Sequence, residues 1–268
     1  MLTMRFEHLA LRPGMRVLDV GCGGGRHIRQ TRLIPGVTAV GLDLGASEVA
    51  DTAKMLRELD EIPVQYGGSV PGAGAWISIR GSVYELPFPD ASFDCVIISE
   101  VLEHLGEDER ALGEISRVLK PGGTLAASVP RRGPETVCWA LSKRYRTWPG
   151  GHIRIYRQRE LHAKLERHGY RIYKRHFAHA LHSPYWWLKC LVGLHRDDVS
   201  WVKLYHRFLV WDMMRRPALT RVLETALQPF IGKSVVFYGI KDYALGSHGV
   251  GTGGLGIADL ALNDEVGE

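Results

Sequence analysis

The sequence predicts an α/β protein built on a parallel, doubly wound sheet. Buried-type strand segments alternate with helical stretches along most of the chain. The first apolar strand runs straight into a glycine-rich turn, Gly21-Cys-Gly-Gly-Gly25. In an open parallel sheet ligands bind beyond the carboxyl ends of the strands, which is where that turn falls.

Taken in order, strands are expected near 16–21, 38–43, 76–81, 94–99, 123–129, 170–177 and 234–241. Helices should fill 24–32, 46–59, 107–118 and 157–168, the last resting on Leu161, Leu165 and the stop at Gly169. The run from Gly67 to Gly74 reads as a flexible loop before the third strand. About fifteen residues precede the first strand, which leaves little room for a cover there. A cover over the ligand face is therefore expected from the segments leaving strands five and six, 130–156 and 178–233. The second holds Pro184-Tyr-Trp-Trp-Leu-Lys-Cys-Leu-Val192 and the stretch Trp201 to Trp211, whose apolar residues recur at three and four as in amphipathic helices. These aromatics either pack the insertion onto the domain or wall a substrate site. From about Gly246 the chain is glycine-rich and then acidic, and reads as a disordered tail without catalytic role. The resulting division is 1–177 plus 234–245 as one α/β domain, 178–233 as a helical lid or substrate insertion, and 246–268 as tail.

Glycines at such a turn let the backbone bend sharply and approach a ligand, because no Cβ blocks either move. A dinucleotide fingerprint would need a third glycine where this chain has Arg26. Asp43, at the tip of the neighbouring strand Val40-Gly-Leu-Asp-Leu44, can accept hydrogen bonds from both ribose hydroxyls. That supports a nucleoside without separating NAD from S-adenosylmethionine (SAM).

The D-x-G-x-G pattern from Asp19 to Gly23 resembles motif I of the class I SAM-dependent methyltransferases. The run Gly81-Ser-Val-Tyr-Glu-Leu-Pro-Phe-Pro-Asp-Ala-Ser-Phe-Asp94 is similar to the corresponding run of the methyltransferase type 11/25 families. Glu100-Val-Leu-Glu-His104 and Arg117-Val-Leu-Lys-Pro-Gly-Gly-Thr124 follow in that order. The resemblance covers residues 16–130. It implies a Rossmann-like, seven-stranded, mostly parallel sheet with the last strand antiparallel, and a helical insertion before that strand. It also implies SAM as cofactor, with S-adenosylhomocysteine as product. The cofactor-binding residues it points to are Asp19, Gly21, Cys22, Gly23, Gly25, Asp43, Leu44, Ser82, Val83, Ser99 and Glu100. Where most relatives carry an aspartate for the adenine amine this chain has Ser82, a neutral and shorter acceptor that contributes less. The Val83 N–H can serve the adenine ring whatever its side chain.

Methyl transfer from a sulfonium needs alignment of the acceptor and, where required, removal of its proton. Candidate bases on the active edge are His104, His152 and His179, each with a structural reading beside it. Arg26 and His27 could approach the methionine carboxylate or lie on the surface. His176, His179 and His182 are spaced by three, yet no carboxylate or cysteine is close in sequence, so no metal is expected there. Cys22, Cys95, Cys138 and Cys190 are scattered without a C-x-x-C pair, which fits reduced thiols in a cytoplasmic protein and excludes a structural zinc reading.

No segment approaches the roughly 18–20 apolar residues of a membrane span. Residues 1–130 carry 12 Lys and Arg against 17 Asp and Glu, whereas 131–176 carry 13 against 3. The basic block is either a solvated surface or a site for an anionic partner. The function expected is SAM-dependent methylation of a small-molecule acceptor, at oxygen of a lipid-linked, glycan or other natural-product substrate. Peripheral membrane contact is compatible with the aromatic insertion. The alternatives are a nucleic-acid methyltransferase, against which the segment Ser99 to His104 argues because it is not an N/D-P-P-Y run, and a SAM-binding protein without turnover.

Overall fold

A computed structural model describes residues 2–62, 72 and 74–243. Its strands are β1 (Arg16–Val20), β2 (Thr38–Asp43), β3 (Trp76–Arg80), β4 (Phe93–Ser99), β5 (Leu119–Pro130), β6 (Tyr170–Ala178) and β7 (Ser234–Lys241). They form one sheet in the order β3-β2-β1-β4-β5-β7-β6. The first five pair in parallel, and β7 runs antiparallel to both of its neighbours, as expected for the last strand. Strand order reverses at β1, which has β2 on one side and β4 on the other.

The central strands are apolar almost throughout because both their faces are covered. Leu18, Val20, Val96 and Ile98 point into one core with Leu112 and Ile115 of α3 (Asp108–Val118) and Leu161 and Leu165 of α6 (Gln158–Arg167). Val17, Cys95 and Ile97 alternate to the opposite face, where Met4 and Leu9 from the N-terminal segment cover them. On that face α1 (Arg26–Arg32) and α2 (Ala46–Glu61) pack Ile28, Leu56 and Leu59 against Ala39 of β2.

Strand β5 is longer than the sequence suggests. Phe93 pairs with Leu119 and Cys95 with Thr124, so the register shifts across Lys120-Pro-Gly-Gly123 and pairing resumes beyond it. Pro121 has no N–H for the ladder, and Gly122 takes φ +75°, a conformation that suits glycine. Helix α1 begins later than expected because Gly25 sits at φ +76° as its N-cap and keeps the glycines in the turn.

Between β5 and α6 the chain forms α4 (Arg132–Leu141) and the single turn α5 (Lys143–Arg146). Between β6 and β7 lie α7 (His182–Val192), α8 (Ser200–Arg215) and α9 (Ala218–Ile231). Glu224 of α9 accepts the Ala180 and Leu181 N–H groups at 2.8 and 2.9 Å, placing a carboxylate at the start of α7. Ser183 donates to the Ile231 carbonyl (2.6 Å), which ties α7 to the end of α9. Most of the loop expected at Gly67–Gly74 and the tail from Gly246 lie outside the described residues. Among the described residues no helix is long and apolar enough to cross a membrane.

Part of the basic block is engaged within the fold. Arg131 donates to the Gln228 and Pro229 carbonyls, and Arg154 to those of Leu105 and Gly106. Asp108, the first residue of α3, receives Lys164 at 2.5 Å, Arg154 at 2.6 Å and the Tyr156 hydroxyl. Burial alone would raise the Asp108 carboxyl, but hydrogen bonds from Lys164, Tyr156 and Arg154 outweigh it and hold it at about 2. A depressed carboxylate stabilises the fold above its unfolded pKa, and that contribution is lost as pH falls through the folded value. Urea unfolding between pH 5 and pH 2 should therefore show a loss of about 2 kcal/mol that Asp108→Asn, already less stable at pH 5, does not show.

Candidate active site

The reversal of strand order brings the carboxyl ends of β1, β2 and β4 together. After β1, the Gly21 and Cys22 N–H groups both donate to the Leu42 carbonyl, at 2.7 and 3.1 Å, and tie the turn to β2. Gly21 has φ +68°, and a Cβ there would fall 2.4 Å from Val101 Cγ2. The Gly23 N–H donates to Asp43 Oδ2 at 2.8 Å and the Gly45 N–H to Oδ1 at 3.0 Å. Two backbone donors thus fix the Asp43 carboxylate, which keeps lone pairs free for further donors. Thr52 of α2 buttresses the turn by donating to the Gly23 carbonyl (2.7 Å).

A cavity of about 270 Å³ opens beside this turn, and Gly21, Asp43, Leu44, Ser82, Val83 and Glu100 line it. Leu44 is 69% exposed at that wall, an apolar side chain with nothing over it. Ser82 Oγ accepts the Tyr84 N–H at 3.2 Å and closes the turn after β3. Glu100 holds a left-handed backbone, φ +57°, at the end of β4. Its N–H and Oε1 are both bonded to Ser128, at 3.0 Å each. These features fit an adenosyl group: an oriented carboxylate for a ribose diol, a bare aliphatic wall for a base, and a turn that admits close approach.

The remaining cofactor-binding candidates from the sequence, Asp19, Cys22, Gly23, Gly25 and Ser99, are not among the residues that line this cavity. Cys22 is turned away: a Cβ on Gly41 of β2 would meet its sulfur at 3.1 Å, so the thiol packs in the core. Gly25 caps α1 beneath Met55 and Thr52. Ser99 is buried between Ser128 (3.0 Å) and the Arg26 guanidinium (3.2 Å). Asp19 is buried under the turn, and burial pushes its carboxyl up to about 7, only partly offset by Arg26 and the Ile28 N–H. His27 faces it at 3.9 Å, and burial pushes that ring down to about 3. His27 is therefore a core group, while Arg26 lines a cavity with Glu100.

Residues 18–127 match the family model of the methyltransferase domain. The chain carries a class I SAM-dependent methyltransferase domain. A sterol 24-C-methyltransferase of Yarrowia lipolytica is 36% identical over 127 residues, 45% of this chain and 30% of that protein. A ubiquinone biosynthesis O-methyltransferase of Hahella chejuensis is 33% identical over 136 residues, 50% of this chain and 51% of that one. The chain thus spans a third to a half of the length of these relatives. The crystal structure of the YcgJ protein of Bacillus subtilis has the same fold, with a TM-score of 0.57 at 21% identity over 88% of this chain and 95% of that one.

On the other side of this cavity lies a chamber of about 350 Å³, lined by His104, His152, Tyr145, Trp148, Trp186 and Lys233. His104 lines both spaces. It ends the 3-10 turn Leu102–His104 after β4, and its Nδ1–H donates to the Gly151 carbonyl (3.1 Å). His152 arrives on the loop after α5, and its Nδ1 lies 2.6 Å from Glu135 Oε1 on α4. Trp139 Nε1 (3.1 Å) and the Tyr145 hydroxyl (3.3 Å) also donate to Glu135. Glu103 is 1% exposed, with no hydrogen-bond partner for either carboxylate oxygen. Burial, with Glu100 close by, pushes its carboxyl well above the carboxylate range. Burial and the neighbouring His152 hold His104 below its ordinary value, so its ring is neutral at pH 7.

The third histidine candidate is placed apart. His179 lines a different cavity with His182, Arg26 and Glu100, and its Nε2 meets Thr3 Oγ1 at 3.1 Å. Burial and the adjacent His182 hold it well below the ordinary histidine value. The aromatic stretch of the insertion divides as well. Trp186 faces the chamber, Trp187 donates to the Pro134 carbonyl (3.0 Å), and Trp201 and Trp211 are exposed on α8. Sequence reading missed Glu103, Glu135, Tyr145 and Lys233, because nothing in the linear order announces that α4, the 147–157 loop and the start of β7 converge.

Calorimetric titration with S-adenosylhomocysteine should show Asp43→Ala binding roughly 10–100-fold more weakly, the effect of removing hydrogen bonds to a charged group. Gly23→Val, which forces a β-branched residue to φ +50°, should abolish binding by distorting the turn.

Proposed function

We propose that this methyltransferase acts on a small-molecule acceptor at oxygen, and that the acceptor occupies the aromatic chamber beside the β4 end. The observation that carries this reading is that His104 borders both the donor cavity and the chamber, so donor and acceptor would meet at its ring. SAM, when bound, supplies a methyl group on a sulfonium, an already activated leaving group.

The chain's own residues then have two tasks. The first is alignment: Asp43 and the glycine turn hold the nucleoside end, while Tyr145, Trp148 and Trp186 form flat walls for an aromatic or isoprenoid ring. Lys233, whose Nζ lies 5.8 Å from the Trp186 ring centroid, gives the chamber one cation for an acidic substituent. The second is activation of the hydroxyl, for which His104 and His152 present Nε2 at the junction. Glu135 orients His152 as a carboxylate orients a general base. The α7–α9 segment serves in this reading as cover for the chamber. The likeness to an O-methyltransferase supports oxygen as the acceptor atom, and the engagement of Arg131, Arg154 and Lys164 inside the fold weighs against a nucleic-acid acceptor.

The test is transfer of labelled methyl from SAM to a panel of phenolic, isoprenoid and glycan hydroxyl compounds. An O-methylated product is expected. His152→Ala should lower kcat roughly 10²–10⁴-fold while leaving S-adenosylhomocysteine affinity unchanged. Product binding without turnover on any of these classes, or on tissue and lipid extracts, would instead identify a SAM-binding protein that does not methylate.

A further inference from the structure

We propose that Glu103, His104 and His152 bind one divalent transition-metal ion at the inner end of the chamber. The inference deepens the acceptor reading above in that it places the ion at the proposed acceptor site, but ion binding itself does not depend on methyl transfer.

The donor atoms are assembled by three backbone contacts. Glu103 and His104 share the turn after β4, the Gly151 carbonyl accepts from His104 Nδ1, and the Ile153 N–H donates to the Glu103 carbonyl at 3.0 Å. This pins the 147–157 loop, and His152 with it, against the turn. One potential ligand atom from each of Glu103, His104 and His152 then lies within 4.8 Å of the other two. Glu103 Oε1 is 3.9 Å from the first nitrogen and 4.0 Å from the second.

Both rings engage Nδ1 outward, with the Gly151 carbonyl and with Glu135, and leave Nε2 on the side of Glu103. A carbonyl only accepts, so His104 must carry its proton on Nδ1. Glu135 acts as an acceptor toward Trp139 and Tyr145, and toward His152 it takes the Nδ1 proton in the same way. Each ring therefore turns Nε2 toward Glu103, whose two oxygens are buried without a hydrogen-bond partner. Three potential ligand atoms thus face one point without a hydrogen bond among them, and an ion bound there would displace any proton they hold. A proton bridges two acceptors; a metal ion bridges three or more. The outer partners match those that metal-bound histidines use, a backbone carbonyl for one ring and a carboxylate for the other.

Two imidazoles and one carboxylate suit zinc, manganese, iron or cobalt better than magnesium or calcium, which take oxygen ligands. Bonds of roughly 2.0–2.2 Å at tetrahedral angles put donors about 3.3–3.5 Å apart, so each Nε2 must close on Glu103 Oε1 by roughly half an ångström. Three protein ligands leave at least one position open toward the side walled by Trp148, Trp186 and Lys233. An acceptor hydroxyl bound there would lose its proton to water more readily, as oxygen ligands of such ions do, so in the ion-bound protein the ion takes over the activation that the free Nε2 atoms would otherwise give.

The full chain, stripped with chelator and dialysed against Zn²⁺ or Co²⁺, should retain one ion after free metal is removed, measured by mass spectrometry. The Co²⁺ form should show visible d–d bands of a low-coordinate site. His152→Ala and Glu103→Gln should lower ion affinity at least tenfold, and Glu135→Gln, whose hydrogen bond among the three ligands is to the His152 ring, roughly 10–100-fold. His162→Ala, a histidine of α6 outside the cluster, should retain full uptake. Because Glu103 is buried and its variant can fail to fold, X-ray absorption of the unsubstituted zinc form provides a second check, with imidazole scattering expected. Absence of uptake by the unsubstituted protein, or uptake unchanged in both His104→Ala and His152→Ala, would overturn the site. Titration of the same samples with S-adenosylhomocysteine separates the two readings. Product binding without ion uptake would overturn the metal site alone, whereas ion uptake without product binding would support it and overturn the donor reading.

Discussion

The pairing of β1 with β4, both covered on each face, is the constraint from which the rest of the molecule follows. Strands buried on two sides can carry polar groups only where they end, because a polar side chain in mid-strand would lose its water without gaining a partner. Asp19 is the exception, and burial pushes it up to about 7. The working polar groups are accordingly gathered at the carboxyl ends: Gly21 after β1, Asp43 closing β2, and Ser99, Glu100, Glu103 and His104 at or after the end of β4. Reversal of strand order opens a crevice between these ends, and the glycine turn lets the chain cross it without filling it.

The second half of the chain is folded over that crevice by charge as much as by apolar contact. Asp108 gathers Lys164, Arg154 and Tyr156, which fixes both α6 and the loop that leads into it. Glu224 does the same for the start of α7. Because β7 returns antiparallel between β5 and β6, Lys233 just before it enters the sheet from the active side, next to Glu100 and Trp186. The chamber is thus assembled from the turn after β4, α5 and the loop beyond it, α7 and a strand start, segments up to about 130 residues apart in the chain.

That assembly puts two histidines and two carboxylates within reach of one another in a partly dry space. Their arrangement is ordered from outside inward. Trp139 and Tyr145 direct Glu135, Glu135 directs His152, and the Gly151 carbonyl directs His104. The unpartnered Glu103 lies at the centre of this network. Leaving such a carboxyl without a donor is costly in a fold, and the cost is tolerable where a ligand or ion can meet it.

The sequence by itself determined the sheet and several residues that line the cavity beside the glycine turn. Strand-length apolar runs, the stop at Gly169 and the turn after β1 are local signals, since burial on both faces and left-handed glycine geometry write themselves into consecutive residues. Asp43, Leu44, Ser82 and Val83 were legible for the same reason, each standing at the end of its strand. The internal shift of β5 was not legible, because Pro121 and Gly122 read as a turn until pairing with β4 resumes beyond them. Nor was the pairing of His152 with Glu135, or the placing of His104 but not His179 at the chamber. Those depend on how helices and loops pack in three dimensions, where charge pairing and burial act between residues whose separation in the chain carries no information about their contact.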